Sequence, residues 1–321
     1  MPQGGAATRG FGAIGTVRNT ISVLREVSIN DLREEAEREP TLVVIAPDDG
    51  VARELGAALA GDGAHRQPKS ASLFAKVDLL DQFDAIVVYD PGNTGRAAEL
   101  RRMVRTDGPS RVFSFEGASM TDRAALDTTR LTITRRAPDR APAFGRYYPA
   151  FRSAAVRAVI DESARANAEF AFVSNIPAVI PIVGSLAAAG ADFLVLTKNQ
   201  VMLVLKVAAI YGEDLGSYAK ILRELAPVVG AGFMWRTVAR EAASFLPFAA
   251  GTIPKVAIAY TGTVVAGRAA EFYFRYGQRP SAIDVKGFYR DAAEAVGRLS
   301  LPKRGIGKTD EAIAIPPANE P

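Results

Sequence analysis

Residues 170–212 read FAFVSNIPAVIPIVGSLAAAGADFLVLTKNQVMLVLKVAAIYG, and the fold of the C-terminal half turns on them. No charge occurs from Phe170 to Ala191. As a single helix that segment would measure about 33 Å, enough for a hydrocarbon core of roughly 30 Å. Pro177, Pro181, Gly184 and Gly190 interrupt it. A proline in an ordinary helix interior costs about 3 kcal/mol, and neighbouring groups must satisfy the backbone partners it frees. The segment can be a true span, a re-entrant hairpin or a buried helical core. The prolines and the Ala/Gly-rich second half fit a hairpin or a membrane-docking apolar core better than a straight span. From Asp192 onward the stretch reads as a long apolar helix with Lys198, Asn199, Gln200 and Lys206 set into it. Lys198, Asn199 and Gln200 fall close together, suited to a polar contact with a partner helix or head groups rather than to catalysis.

The rest of the C-terminal half has helical periodicity. Ala150 to Phe172 is amphipathic, with Phe151, Ala155, Val159, Ala164 and Ala168 near one face. Ser217 is expected to cap a helix ending at Leu225, before Pro227, and Phe233 to Phe245 forms another. Pro254 to Tyr276 is a long helix whose Thr263, Gly267 and Ala270 make a small face for close helix contact. Ser281 to Asp284 resembles a capping box, opening a helix with Val285, Phe288, Ala292, Val296 and Leu299 on one side.

The N-terminal half has a different pattern. Residues 1–13 are Gly/Ala-rich, Thr16 to Glu26 suggests a helix, and Asn30 is placed to cap a second one that Pro40 stops. Thr41 to Ala46 (TLVVIA) and Asp84 to Tyr89 (DAIVVY) are continuous apolar runs, the mark of strands buried on both faces. Arg111 to Phe115 reads as a third strand and Leu131 to Thr134 as a fourth. Helices over Gly50 to Ala60 and Thr94 to Arg105 separate the runs. This alternation predicts a small parallel α/β layer of Rossmann or GTPase-like type with right-handed crossovers, followed by an apolar helical domain. The expected division is a helical lead-in over 1–40, the α/β unit over 41–136, a basic linker over 137–149, the helical unit over 150–300 and a tail over 301–321.

Asp192, the LTKNQ run ending in Asn199 and Gln200, and an apolar helix closing on Tyr211-Gly212 resemble the YcjF-type family of bacterial helical domains, the domain of unknown function six-nine-seven. Pro181, Gly184, Arg236, Leu246-Pro247 and the Thr263 to Gly267 segment leading into GRAAEFYF extend the resemblance over roughly Ala150 to Gly277. Members of that family are also found C-terminal to GTPase domains. The resemblance therefore implies a helical domain behind a GTPase-like layer, with a GTPase or membrane protein as possible partner.

The layer lacks the chemistry of a nucleotide site. A P-loop needs Lys for the terminal phosphates and a hydroxyl for magnesium. The corresponding stretch is Ala46-Pro47-Asp48-Asp49-Gly50-Val51-Ala52-Arg53, which puts two acids where phosphate would sit. The Asn-Lys-x-Asp guanine signature is also absent. The remaining candidates for cofactor contact are Asp49, Gly50, Arg53 and Asp90. Asp90 could act as a magnesium ligand, but Asp90-Pro91-Gly92 is ordinary turn chemistry. No cofactor, metal site or catalytic residue is expected. The chain has no cysteine, and its one histidine, His65, lies in a polar loop. Asp161 and Glu162 point different ways on a helix.

Net charge is +4, with 48% apolar and 23% charged residues and a mean hydropathy of +0.07, a globular composition without a global basic field. The basic charge is local. Arg135, Arg136, Arg140 and Arg146 belong to a cluster from Arg130 to Arg157 that contains one acid, Asp139, and includes Phe144, Tyr147, Tyr148 and Phe151. The cluster can be a juxtamembrane belt, a linker whose arginine stems cover apolar surface, or, least in keeping with its position, a nucleic-acid contact. The N-terminus has no apolar secretory segment. These features lead us to expect a non-enzymatic accessory or scaffold protein on the cytoplasmic face of a membrane, peripheral or hairpin-inserted, which binds anionic lipid and not nucleic acid. The alternatives are an atypical NTP-binding switch and a soluble, oligomeric helical scaffold of the cytoplasm.

Overall fold

The computed structural model describes residues 29–75, 80–104, 108–173, 185–229 and 252–296. The helices expected over Thr16 to Glu26 and Phe233 to Phe245, the tail, and residues 174–184 of the Phe170 to Ala191 run lie outside those residues. Residues 29–37 are helical (α1), so Asn30 sits within the helix and not at its cap. The chain continues as β1 (Leu42–Ala46), α2 (Asp49–Ala60), β2 (Lys69–Ser72), β3 (Ala85–Val88), α3 (Arg96–Met103) and β4 (Val112–Ser114). Helices follow: α4 (Arg123–Arg136), α5 (Ala141–Tyr147), α6 (Arg152–Val173), α7 (Ser185–Ile210), α8 (Tyr218–Val229), α9 (Thr252–Tyr276) and α10 (Ala282–Val296).

The four strands form an all-parallel sheet in the order β2-β1-β3-β4. β1 is buried along its whole length. Its alternate side chains enter two different cores, as the two-residue period of a strand requires. Leu42, Val44 and Ala46 pack with Leu55 and Leu59 of α2 and with Val87 and Phe113. Val43 and Ile45 pack on the other face with Ile86, Val88, Leu100 and Val112.

Two strand assignments change. The fourth strand is Lys69–Ser72, an edge strand paired on one side with β1 from Val43↔Lys69 to Ala46↔Ser72. Its KSAS sequence has no apolar run because an edge needs none. Leu131 to Thr134 belongs to α4. Its threonines suit a helix because their hydroxyls bond back to carbonyls four residues earlier, Thr132 to Thr128 at 2.7 Å and Thr134 to Arg130 at 3.0 Å. Asp122 caps the helix on the Ala125 amide, and Ile133 is buried.

Residues 137–149, read as a basic linker, are folded into the core. Within α5, Ala141, Ala143 and Phe144 are fully buried. Phe144 and Phe151 stack at 5.2 Å, and with Tyr148 they join the core between the sheet and α2. Ala141 faces a second core with Ile29, Leu32 and Ala36 of α1 and with α6 and α7. The α/β layer and the helical unit thus share α5. Arg140, just before it, is 8% exposed. Its Nε donates to Asp84 Oδ1 at 3.1 Å, Nη1 to the Glu35 carbonyl at 2.6 Å and to Glu35 Oε2 at 3.1 Å, and Nη2 to the Arg38 carbonyl at 3.0 Å and Asp84 Oδ2 at 3.3 Å.

Two helix limits also move. α8 follows a single turn over Leu215–Ser217 that Asp214 caps, so Ser217 is not the cap, and it passes Pro227 to reach Val229. At α10 the capping box forms: Asp284 Oδ2 accepts from the Ser281 amide at 2.8 Å and hydroxyl at 2.6 Å, and the Asp284 amide donates back to Ser281 Oγ. Val285, Phe288 and Ala292 pack against α9 as the periodicity predicts.

Arg140→Met should lower the unfolding free energy by about 3 to 5 kcal/mol, because it leaves the half-buried Asp84 carboxylate without its cation. A lower urea midpoint at unchanged slope would report this. Burial raises the Asp84 carboxyl pKa, but bonds from the Thr41 amide and from Arg140 outweigh it and hold the group below its ordinary value. A carboxylate depressed on folding stabilises fully above its unfolded value of roughly 3.9, and that contribution is lost as pH falls through the lower folded value. Asp84→Asn should therefore flatten the acid limb of stability against pH; an unchanged limb would show that Asp84 does not set it.

Candidate functional site

In a doubly wound sheet, ligands bind outside the carboxyl ends of the strands where the strand order reverses. Here that point lies between β1 and β3, which pair directly. It gathers all the candidate cofactor residues, with Asp49, Gly50 and Arg53 after β1 and Asp90 after β3.

Each of these polar groups is engaged within its own loop. Asp48 caps α2, its Oδ1 accepting from the Gly50 amide at 2.8 Å and the Val51 amide at 2.9 Å. These helix-start amides are the ones an incoming phosphate would use. Arg53 folds back along α2, its Nε donating to the Asp49 carbonyl at 3.2 Å. Asp90 Oδ1 accepts from the Thr94 amide at 2.9 Å, and Oδ2 from the Thr94 hydroxyl at 3.0 Å and the Gly95 amide at 3.1 Å. Burial raises the Asp90 pKa, but these bonds and one from the Arg96 amide outweigh it, so the carboxyl lies below its ordinary range. Asn93 at φ 47° and Gly95 at φ 82° give the loop the left-handed turns that bring the amides round. The turn reading of Asp90 accounts for its contacts. Among the described residues, no group of three or more His, Asp or Glu side chains is arranged to hold a metal ion.

The residues that carry the resemblance to YcjF-type domains are only partly described. Pro181, Gly184, Arg236 and Pro247 lie outside the described residues. Asp192 lies on the α7 backbone, and its side chain is outside what is described. Of the others, Asn199, Thr263 and Gly267 meet at the contacts of α7 with α6 and α9. Asn199 Nδ2 donates to Asn167 Oδ1 at 2.7 Å, Asn167 Nδ2 to Thr263 Oγ1 at 2.8 Å, and Thr263 Oγ1 to the Ala259 carbonyl at 2.7 Å. Asn167 and Thr263 are each 1% exposed. One turn beyond Thr263, a Cβ on Gly267 would stand 2.5 Å from Ile160 Cγ1, so only glycine allows this approach. Gln200 is half-buried and Lys198 exposed, both outside this ladder.

At the end of α7, Gly212 takes φ 90° and the Glu213 amide returns to the Ala208 carbonyl, the left-handed stop that glycine makes without strain. Tyr211 stacks on Phe274 at 6.3 Å beneath the Arg152 guanidinium, and burial pushes its hydroxyl pKa up to about 12. Sequence reading missed Asn167. The available signal was one amide on a face otherwise built of Ala164, Ala168 and Ala171.

The four patch arginines each bond within the protein. Arg140 is buried as described above. Arg135 pairs with Asp161 at 2.6 Å, Arg136 lies over the Phe113 ring and reaches the Ser110 carbonyl, and Arg146 donates to the Glu213 carbonyl at 3.0 Å. Arg135 and Arg136 stay exposed and Arg146 is half-buried, so three can face a partner and Arg140 cannot. Glu162 turns away from Asp161 to meet Lys206 at 2.7 Å, and His65 is exposed against the edge of Tyr147. The chain matches no family model, and it finds no match among curated proteins or solved structures.

Asn167→Ala should destabilise the fold by about 1 to 3 kcal/mol, because it leaves the part-buried Asn199 amide and a buried Thr263 lone pair without their partner. Gly267→Ala should cost about 1 to 3 kcal/mol through overpacking against Ile160. Chemical denaturation reads both, and a loss below ~0.5 kcal/mol for either would show that its contact is not tight.

Proposed function

We propose that the chain is a non-catalytic, membrane-associated adaptor in which a GTPase-like sheet without nucleotide chemistry carries a YcjF-like helical unit. The observation that carries the non-catalytic part is the capping of α2 by Asp48. The amides that would cradle a phosphate already hold a carboxylate, with Asp49 beside it. A nucleotide would have to displace one negative charge and approach a second. Asp90, whose oxygens are taken by Thr94 and Gly95, is equally engaged.

The membrane part is supported by the uncharged run from Phe170 to Ala191 and by its position after the arginine-rich segment. Among the described residues no helix is long and apolar enough to cross a membrane. The attachment proposed is through a hairpin or an apolar surface at the cytoplasmic face. Basic residues near an anionic surface contribute about 1 kcal/mol each, and salt screens them. A second reading, a soluble helical scaffold that oligomerises, is favoured by the internal bonds of all four patch arginines.

Flotation separates the two readings. The full chain should float with vesicles containing phosphatidylglycerol, and Arg135→Gln/Arg136→Gln/Arg146→Gln should weaken that flotation with little change in melting temperature. A chain that floats with neither anionic nor neutral vesicles is the soluble scaffold. Calorimetric titration with magnesium and GTP or ATP should show no micromolar binding, and a micromolar dissociation constant would restore the nucleotide switch.

A further inference from the structure

The amino ends of the strands have the opposite character to the carboxyl ends. A cleft of about 490 Å³ opens there, lined by Arg38, Arg111, Arg136 and Arg140 together with Asp81 and Asp84. We propose that this cleft binds a ligand bearing a phosphomonoester group, with Arg111 and Arg136 as its anchors. The site lies apart from the switch point and does not depend on whether the chain meets a membrane.

The charges in the cleft differ in whether they are already paired. Arg140 and Asp84 neutralise each other, and all three Arg140 nitrogens donate within the protein. Arg38 leans on Glu35 at 3.3 Å and keeps 59% of its side chain exposed. Arg111 and Arg136 are positioned but not neutralised. Arg111 Nη1 donates to the carbonyls of Asp81 at 3.2 Å and Phe83 at 3.4 Å. Arg136 Nη1 reaches the Ser110 carbonyl at 3.4 Å, and its guanidinium carbon stands 5.4 Å from the Phe113 ring centroid. Among the described residues neither arginine pairs with a carboxylate. Each keeps N–H donors for an oxyanion on a group whose position is already set, which lowers the ordering cost of binding.

Two forked guanidiniums match a phosphate dianion in charge and geometry, and a phosphomonoester carries about −1.5 to −2 at neutral pH. The cleft exceeds what a bare phosphate fills and falls within the range of about 300 to 1,000 Å³ typical of small-molecule sites. Asp81, exposed on the same lining, is the carboxylate that opposes the anion.

The ligand can come from solution or from a lipid head group, so the test has two arms on the full chain. One is calorimetric titration with inorganic phosphate and with glycerol 3-phosphate. The other compares flotation with phosphatidylcholine vesicles containing phosphatidic acid, a phosphomonoester, or phosphatidylglycerol, a phosphodiester. Saturable binding of a soluble probe identifies a soluble ligand, and preference for phosphatidic acid alone identifies a head group. In either case Arg111→Gln/Arg136→Gln should weaken binding at least about tenfold, Asp81→Asn should tighten it several-fold, and Arg290→Gln, at an exposed pair elsewhere, should leave it unchanged. Absence of soluble binding together with equal flotation on both lipids overturns the site. So does wild-type binding by Arg111→Gln/Arg136→Gln. If that double variant does not fold, Asp81→Asn decides, and unchanged affinity there overturns the proposal.

Discussion

The placement of Arg140 is the constraint on which the architecture depends. A buried guanidinium has to satisfy its donors inside the protein, and its planar fork fixes where the acceptors must stand. Here they come from two separate parts of the chain. The Glu35 carbonyl and carboxylate and the Arg38 carbonyl belong to α1 and the turn after it, and Asp84 opens β3. Asp84 in turn accepts from the Thr41 amide at the start of β1. One side chain thereby sets the distance between the incoming helix, the two central strands and α5. Had α5 been a mobile connector, this charge would have no fixed environment and would have to lie in water.

The aromatic residues beside it extend the same constraint into the apolar core. Phe144, Tyr148 and Phe151 fill the space between α2 and the β1–β3 face. Tyr148 directs its hydroxyl to the Pro40 carbonyl, and burial pushes its pKa up to about 12. Ala141 looks the other way, into the helical core. Because α5 has an apolar residue on each side, the sheet and the helices form adjoining cores across one short helix. The arginines around it fill the gaps between elements, with stems on apolar surface and heads on carbonyls and carboxylates.

What the sequence made legible follows from how strongly each position is constrained. TLVVIA and DAIVVY could hardly be anything but central strands, since burial on both faces demands continuous apolar residues. The KSAS edge carries no such demand and looks like a loop. Leu131 to Thr134 misled because β-branched residues favour strands only when nothing else satisfies their hydroxyls, and in α4 the preceding turn does. Asp90 was readable because its turn is closed by residues four and five positions away. The ladder through Asn199 was half readable, since its polar residues stood out against apolar neighbours while the partner, Asn167, lies on another helix. Nothing local distinguishes Arg140 from Arg135 or Arg136. Its burial is decided by Glu35 and Asp84, far away in sequence, so charge patterning grouped it with the exposed arginines.

The two ends of the sheet divide the electrostatics between them. At the carboxyl ends, the positive start of α2 would ordinarily attract an anion, and Asp48 and Asp49 cancel that field with charges of the chain's own. At the amino ends the cationic groups are guanidiniums, two of which are held by neutral carbonyls, one of them also by an aromatic ring. A carbonyl fixes an arginine in place without reducing its charge, whereas a carboxylate does both. The charged side chains are thus arranged against the usual polarity of a doubly wound sheet: acids cap the end where such folds normally bind anions, and arginines without a carboxylate partner among the described residues line the opposite edge. That arrangement follows from the partners each charged group has and needs no change in the order of the strands.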